Sequence, residues 1–412
     1  ERWKRWYQYA RIMMTNDPDS ARQINLSGIK YVSFYERSGY GYAAIAYLLG
    51  LMKTDIPITW TPMVPGRGWC PGKVPFLGRK IGDPDLDSIC NLPIRYDAVI
   101  LHLTPEYYPM WLKRETGKKM IGYTVWETDK PPGHWPALLN AMDRILVPSH
   151  WNREIFIRGG VTRPISVIPH ISANFSQMRF QSNAIQSSPE MSDWSIGADD
   201  YVFYNISMWT ARKALRDTIQ CYLDSFTRDD KALLLIKTTQ YDYTKRHFWR
   251  FFSRTEDTVR KIVKNYKRPA RIKLIAEEIS QQEIFNLHVR GDCYFSLCRS
   301  EGWGLGAFDA ASLGKPIIIT GYGGQTEYLP GHLAYLVDYR LVPVIDEIGR
   351  RSYSRDQMWA EPNQTHASQL IRQVFEDRSA TRQRAAMLSE HICRSFCESA
   401  TIPKLIRAVK LS

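Results

Sequence analysis

The chain has 412 residues, enough for two domains of ordinary size, and a formal net charge of +13. Hydrophobic residues make up 44% and charged residues 24%, which excludes a disordered or low-complexity chain, and no apolar run approaches the length of a membrane-spanning helix. The positive charge favours anionic partners such as nucleotide sugars, acidic lipids or nucleic acid, but it does not choose among them.

The seven cysteines form no C-x-x-C pair, which argues against a structural zinc site. Several of them lie in apolar, strand-like or helical contexts, which is typical of reduced thiols in a cytosolic protein. We therefore expect a cytoplasmic protein, and contact with the inner face of the membrane stays open. Because the sequence begins with Glu1 rather than Met, it is compatible with a fragment of a longer protein.

Residues 1–24 form a basic aromatic segment. Trp3, Trp6, Tyr7 and Met13 fall near helical spacing, with arginines and lysines between them. A helix of this kind can lie on an anionic membrane surface. The alternative, which we favour, is a helix packed on the rest of the protein or on a missing domain.

From Ile29 onward, predicted strands and helices alternate, which is typical of a doubly wound parallel sheet. In the first half we predict an apolar helix over 42–51 after a loop at 38–41. The predicted strands of this half are 31–34, 97–103, 120–125, 144–147 and 165–168.

A polar, Ser/Gln-rich segment at 175–200 predicts an interdomain linker or surface loop. It divides the chain into an N-terminal domain, 25–190, and a C-terminal domain, 191–399. The C-terminal domain is again α/β, and the tail over 381–411 has a helical pattern. Its predicted strands are 202–206, 233–238, 272–276, 293–297 and 317–320.

The run RSEGWGLGAFD at 299–309 is the most informative part of the sequence, because it places Glu301 and Asp309 eight positions apart with glycines between them. Its middle part, 301–306, is predicted to form the loop between a buried strand and a short helix, 307–313. In open α/β sheets, ligands bind at the carboxyl ends of the strands. A nucleoside diphosphate lying across the helix start could therefore contact both carboxylates.

The backbone of this run is suited to an anion. Gly304, Leu305 and Gly306 offer N–H groups at the helix start, where phosphates commonly bind. A second glycine-rich turn, 320–327, follows the next strand and is predicted to lie beside the first. It is either a plain turn or part of the same binding site.

The phrase EGWGLGAFDAASLGKPIIIT, within residues 292–329, resembles the donor-binding core of glycosyltransferase family 4, whose mark is two acidic residues separated by seven others. These are retaining enzymes with the two-domain GT-B fold. The chain departs from the pattern at Asp309, where Glu is usual. The resemblance extends more weakly over 31–376. It implies an α/β protein with two Rossmann-like domains facing a central cleft, and a last helix, about 400–412, packed on the first domain.

The resemblance also implies roles for donor-side residues. Glu301 would orient the donor sugar, and Asp309 would hold the ribose. Lys213, in the loop after strand 202–206, would contact the diphosphate, with Arg212 beside it. A cationic pair at a helix start opposes the helix dipole, which favours a functional reading over a solvated one. Thr238, at the end of strand 233–238, is counted with these donor-binding residues.

On the acceptor side, the segment Gly39, Tyr40 and Gly41 resembles the first glycine-rich loop of the family, which faces the cleft. His102 and Glu127 each lie at the end of a predicted strand and are candidate catalytic residues. Glu127 would contact the acceptor hydroxyl. The alternatives are a structural histidine and a surface carboxylate.

Together with these residues, the resemblance implies a retaining, hexosyltransferase-type enzyme that moves a sugar from a nucleotide-diphosphate sugar to a glycan, lipid-linked or similar acceptor. No cofactor and no metal are expected, because the D-x-D spacings, at 17–19 and 83–87, lie in loop-like stretches. One alternative is a nucleotide-sugar epimerase or phosphorylase on the same fold. The other is a basic nucleic-acid-binding protein using residues 241–250, although we expect no specific nucleic acid partner. The oligomeric state is left open.

Overall fold

The computed structural model of the protein describes residues 26–66, 72–172, 196–197, 199–245, 253–346 and 352–411. The predicted N-terminal helix, most of the predicted linker and half of the 241–250 segment lie outside these residues. None of the described helices is long and apolar enough to cross a lipid bilayer.

The N-terminal domain contains a seven-stranded sheet in the order β3-β2-β1-β4-β5-β6-β7. All neighbouring strands are parallel except β2 and β3. The strands are β1 Ile29–Phe34, β2 Ile58–Pro65, β3 Lys73–Pro75, β4 Ala98–His102, β5 Lys119–Tyr123, β6 Arg144–Val147 and β7 Ile165–Val167. The helices are α1 Gly39–Leu51, α2 Tyr108–Arg114, α3 Trp135–Leu139 and α4 His150–Arg158, with a 3-10 helix at Pro105–Tyr107.

Two features of this domain differ from the sequence prediction. Strands β2 and β3 were not predicted, because Pro62 and Pro65 lower the strand signal of β2. The prediction of a loop at 38–41 is wrong, because Ser38 is the N-cap of α1 and the helix begins at Gly39. Ser38 caps this helix, since its hydroxyl accepts a hydrogen bond from the Gly41 N–H at 3.3 Å.

The C-terminal domain contains a six-stranded, all-parallel sheet in the order β10-β9-β8-β11-β12-β13. Its strands are β8 Tyr201–Ile206, β9 Ala232–Lys237, β10 Arg271–Ile275, β11 Cys293–Ser296, β12 Ile317–Thr320 and β13 Tyr335–Val337. An antiparallel ribbon follows, formed by β14 Tyr339–Pro343 and β15 Met358–Pro362. The helices are α5 Leu215–Ser225, α6 Thr255–Val263, α7 Gln281–Arg290, α8 Leu305–Ser312, α9 Gln364–Glu376 and α10 Arg378–Ser395, with a 3-10 helix at Gly324–Glu327.

The last helix, α11 Glu398–Lys410, packs on the N-terminal domain. Ile402, Leu405 and Val409 are buried in the same hydrophobic cluster as Tyr47 of α1. At the start of α11, the carboxylate of Glu398 accepts a hydrogen bond from the Lys53 ammonium at 2.7 Å. The chain therefore crosses back, at the place that the family resemblance implied for residues of about 400–412.

If β8 is counted as the first strand of the C-terminal sheet, its strands lie in the order 3-2-1-4-5-6. This is the strand order of dinucleotide-binding folds. Hydrophobic strands such as β12 (IIIT) are buried throughout, as expected for parallel strands covered by helices on both faces. The predicted α/β fold class, with two Rossmann-like doubly wound domains, is confirmed.

Candidate active site

The C-terminal sheet has a crevice where its strand order reverses, between β8 and β11. The chain leaves these two strands in opposite directions, so the loops at their carboxyl ends diverge and leave room for a ligand. The loop after β8 carries Arg212 and Lys213, and the loop after β11 carries Glu301. The fold thus brings together residues that are 88 positions apart in sequence.

Four charged side chains meet in this crevice and are called the charge cluster: Glu127, Arg212, Lys213 and Glu301. Glu301 Oε2 accepts a hydrogen bond from Arg212 Nη1 at 2.9 Å, and Glu301 Oε1 forms an ion pair with the Lys213 ammonium. The other terminal nitrogen of Arg212, Nη2, lies 3.4 Å from Glu127 Oε1. Two cations and two carboxylates therefore balance, and Glu127 joins the cluster from the N-terminal domain.

Glu301 is an ionised carboxylate in this setting. Burial raises its pKa, but the adjacent charges of Lys213 and Arg212 outweigh burial, so the pKa of Glu301 lies below its ordinary value. Its side chain is only 11% exposed. Loss of one partner from such a buried pair leaves an uncompensated charge, which costs about 3–5 kcal/mol.

The backbone fixes the position of Arg212. Its carbonyl accepts a hydrogen bond from the Arg299 N–H at 2.7 Å, and its Nη1 donates to the Ser300 carbonyl at 2.7 Å. Two residues later, Ala214 adopts a left-handed conformation with φ 46° and ψ 40°. A non-glycine residue in this region carries strain of about 1–3 kcal/mol and is typical of functional loops.

The second glycine-rich turn packs directly on the Glu301 loop, as the sequence predicts. Gly324 donates its N–H to the Glu301 carbonyl at 2.7 Å. A β-carbon at Gly324 would lie 1.8 Å from the Gly302 carbonyl oxygen, so only glycine allows this approach. Gly304, the N-cap of α8, has φ +86° and also requires glycine.

The first turn of α8 offers backbone donors beside the charge cluster. Leu305 and Gly306 are the first two residues of this helix, and N–H groups at such positions have no acceptor within the helix. Asp309 lies one turn later and is half-buried, with no side-chain hydrogen bond among the described residues. Burial raises the pKa of Asp309 to about 7.

Three buried hydroxyl groups lie at or just beyond the carboxyl ends of strands in this sheet. They belong to Thr238 after β9, Ser300 after β11 and Thr320 at the end of β12. Within the part of the chain that the structure describes, none of the three side-chain oxygens has a hydrogen-bond partner. Buried polar groups are normally paired, so these oxygens mark the edge where a ligand or ordered water would bind.

His102 lies away from the charge cluster, in an aromatic cluster inside the N-terminal domain. It is 1% exposed, and its Nδ1 lies 2.8 Å from the Tyr31 hydroxyl. Its ring centroid is 4.2 Å from that of Tyr123. Burial, and then the charge of His170, lower the pKa of His102 well below its ordinary value. A neutral, enclosed imidazole of this kind is a core residue, so we leave it out of the proposed catalytic set.

The segment Gly39, Tyr40 and Gly41 forms the first turn of α1 and faces α8. A β-carbon built on Gly39 would lie 3.8 Å from Leu305 Cδ1 of α8. The Tyr40 hydroxyl lies 2.9 Å from Thr124 Oγ1, in the loop that leads to Glu127. These residues therefore form the opposite wall of the cleft.

Several cross-domain contacts were missed by the sequence analysis. The Tyr353 hydroxyl donates to Glu127 Oε2 at 3.4 Å, and its ring lies 5.1 Å from that of Trp126. Asn152 Nδ2 donates to the Gly302 carbonyl at 3.2 Å. Since Tyr353 and Glu127 are 226 residues apart, no local sequence signal could pair them.

The D-x-D spacing at 83–87 forms a turn. Asp83 Oδ1 accepts hydrogen bonds from the Asp85 and Leu86 N–H groups, and Asp87 Oδ1 accepts from the Ile81 N–H at 2.7 Å. Among the described residues, no group of three His, Cys, Asp or Glu side chains could hold a metal ion. The other spacing, at 17–19, lies outside the described residues.

Comparison with known proteins adds an independent finding. Residues 253–404 match the family described as family 4 glycosyltransferase in conflict systems. No curated protein sequence matches significantly.

Solved structures with a similar fold include three glycosyl-transferring proteins. A glycosyltransferase from Rickettsia africae has a TM-score of 0.65 at 14% identity, covering 94% of this chain and 98% of that chain. An alpha,alpha-trehalose 6-phosphate synthase from Burkholderia multivorans has a TM-score of 0.65 at 9% identity, with coverages of 93% and 98%.

The third is a mutant of S. aureus TarM in complex with fondaparinux, alpha-GlcNAc-glycerol and UDP, with a TM-score of 0.52 at 12% identity. The alignment covers 76% of this chain and 55% of that chain. The predicted resemblance to family 4 glycosyltransferases is thus confirmed over residues 253–404, and nearly the whole chain shares its fold with a solved glycosyltransferase structure.

Proposed function

We propose that the protein is a retaining glycosyltransferase, which transfers a sugar from a nucleoside diphosphate sugar to a hydroxyl group of a glycan, glycolipid or similar acceptor. The charge cluster at the β8/β11 crevice carries this proposal. Two cations, an ionised carboxylate and the start of α8 come together there, which supports binding of a nucleoside diphosphate sugar. UDP, found in the TarM complex, is the first nucleotide to test.

Charge balance predicts how the donor enters. The charge cluster is neutral without ligand, and a diphosphate would make it strongly negative if all four side chains kept their contacts. Glu127 is the carboxylate that can separate, because its 3.4 Å contact with Arg212 is longer than that of Glu301 and comes from the other domain. Arg212 would then turn from Glu127 to the diphosphate.

In the proposed reaction, the acceptor hydroxyl attacks the anomeric carbon on the face from which the diphosphate leaves. The new carbon–oxygen bond forms as the bond to the diphosphate breaks, and the departing phosphate oxygen takes the proton. Lys213, Arg212 and the N–H groups of Leu305 and Gly306 would offset the developing negative charge. Glu301 would orient the sugar.

Asp309 would hold the ribose hydroxyls. Its carboxylate ends one methylene earlier than glutamate, and its half-buried position one turn into α8 is compatible with a hydrogen bond to a hydroxyl group. A partly protonated carboxyl can donate as well as accept.

We also propose that no metal takes part, because Arg212 and Lys213 supply the positive charge. Turnover is expected to be unchanged by EDTA. Activity that vanishes with chelator and returns with manganese would contradict this part of the proposal.

The main experiment is a thermal-shift panel with UDP, GDP, ADP and CDP sugars, followed by transfer assays with the ligand that stabilises the protein. A ligand that binds the native state raises its melting temperature. Proton NMR of the product should show the anomeric configuration of the donor. The matched variant is Lys213→Ala, which should lose the ligand-induced shift, whereas Lys261→Ala, on the exposed face of α6, should keep it. Absence of a shift with every donor would contradict the proposal.

A further inference from the structure

A groove runs along α6 at the outer side of the C-terminal domain. It has a volume of about 450 Å³ and is bounded by α6, by the turn before β10 and by β10 itself. β10 is the outermost strand of the sheet, separated from β8 by β9. The groove is therefore distinct from the β8/β11 crevice, and its properties are independent of the proposed glycosyl transfer.

The floor of the groove is apolar, and its rim is basic. Val259, Val263 and Leu274 form part of the floor. The rim carries four cations and a single carboxylate, and its charged residues are Arg228, Arg260, Lys264, Lys267 and Glu256.

Three of the rim cations are available to a partner. Arg228, Lys264 and Lys267 are exposed and have no acidic partner among the described residues, whereas Arg260 is paired with Asp257 at 3.3 Å. Exposed cations around an apolar floor attract a ligand that combines negative charge with an aliphatic group.

The strand beside the groove has one open edge. β10 pairs with β9 on one side, and no strand of the described chain pairs with its other side. Ile272 and Leu274 point to the core face that α6 covers and are half-buried. An edge of this kind can accept an added strand through main-chain hydrogen bonds.

We propose that this groove docks an extended acidic segment of a partner polypeptide. An aliphatic side chain of the segment would occupy the floor, its Asp or Glu residues would pair with Arg228, Lys264 and Lys267, and its backbone would extend the sheet at β10. Charge complementarity and the open edge both select this occupant.

Nucleic acid fits the groove less well. Sequence-tolerant binding of single strands depends on exposed aromatic rings that stack on bases. The one aromatic ring of the groove, Tyr266, is held by a hydrogen bond from its hydroxyl to Asp224 at 2.7 Å. A membrane surface would supply no main-chain groups to the open edge of β10.

The test is selection of a random 12-residue phage-displayed peptide library on the full chain, with counter-selection on the double variant Lys264→Glu/Lys267→Glu. The enriched peptides should share Asp or Glu residues flanking an aliphatic residue. A synthetic copy should bind the double variant at least tenfold more weakly, and Arg228→Glu several-fold more weakly. Lys261→Glu, on the same helix but outside the groove, is the matched control and should bind normally.

Three results would overturn the proposal. The first is the absence of an acidic consensus after selection. The second is a consensus peptide that binds the double variant and the wild type equally. The third is displacement of the peptide by a 20-nucleotide single strand at equal concentration, which would indicate a nucleic acid site. Melting temperatures of all variants exclude misfolding as the cause, and a proline placed in the peptide backbone should abolish binding.

Discussion

The two domains have similar sheets, but different kinds of side chain lie where their strand order reverses: charged ones in the C-terminal domain and aromatic ones in the N-terminal domain. In the C-terminal domain, the reversal between β8 and β11 holds the charge cluster. In the N-terminal domain, the reversal between β1 and β4 is closed by the aromatic cluster around His102. Topology thus provides two comparable strand-order reversals, and the residues at the strand ends decide whether charged or aromatic side chains fill each of them.

The largest expected effect is on the crevice that holds the charge cluster. Glu301→Gln keeps the side-chain volume but removes the charge that pairs with Arg212 and Lys213. Sugar transfer should fall by about a hundredfold or more, because the sugar loses its orienting carboxylate. UDP should still bind, since its diphosphate can pair with the freed cations. The measurements are transfer rate and UDP-induced melting shift.

The control for this variant is Glu154→Gln, which changes an exposed carboxylate on α4. It should leave both measurements unchanged. Full transfer activity in Glu301→Gln would contradict the assignment of the site.

The closed crevice should respond in stability rather than in activity. His102→Ala leaves a cavity among Tyr31, Tyr47 and Tyr123, which should lower the free energy of unfolding by about 2–4 kcal/mol. UDP binding to the folded variant should be unchanged. Chemical denaturation measures the change in stability, and calorimetric titration measures UDP binding. A large loss of UDP affinity with normal stability would show that His102 acts on the donor.

Asp309 should give a pH-dependent effect. Its folded-state pKa of about 7 exceeds the ordinary 3.8, so the folded protein holds this proton more tightly than the unfolded chain. The side chain therefore destabilises the fold increasingly as pH rises from about 4 to about 7. Asp309→Asn removes this penalty, and its stability relative to wild type should rise by about 2 kcal/mol between pH 5.5 and pH 8.

Denaturation curves of both proteins at the two pH values measure this difference. A constant difference would mean that Asp309 is ionised throughout the range. Since Asn has nearly the same volume as Asp, the Asp309→Asn variant changes the titration of this position but not its packing.

The smallest expected effect concerns the link between the domains. Glu127→Gln releases Arg212 from one counter-ion, so UDP should bind several-fold more tightly, an effect of about 1 kcal/mol. Calorimetric titration at low and high salt should show that the increase in UDP affinity becomes smaller as the salt concentration rises. Unchanged UDP affinity with reduced transfer would instead support contact between Glu127 and the acceptor hydroxyl.

Local patterns predicted most of the framework. Strands 144–147 and 317–320 are confirmed at the predicted bounds, because buried parallel strands form continuous apolar runs bounded by polar or turn residues. The prediction of secondary structure failed where glycine or proline is compatible with more than one kind of element. Gly39 and Gly41 suggested a loop but lie in a capped helix, and β2 contains prolines within a buried strand.

The candidate site was predictable residue by residue but not as an arrangement. Strand-end loops identified Arg212, Lys213 and Glu301, because carboxyl ends of parallel strands share one edge. The pairing of Glu301 with both cations, and of Arg212 with Glu127, depends on how two loops and two domains meet. Such long-range contacts leave no periodic trace in a single sequence.

The return of α11 to the N-terminal domain has a consequence for folding during synthesis. Ile402 and Leu405 complete a hydrophobic cluster whose other members, such as Tyr47, emerge from the ribosome some 350 residues earlier. The first half of the chain is therefore translated with an uncovered apolar face. Stop codons placed before α11 should yield a protein that aggregates through this face, even though both sheets are encoded in full.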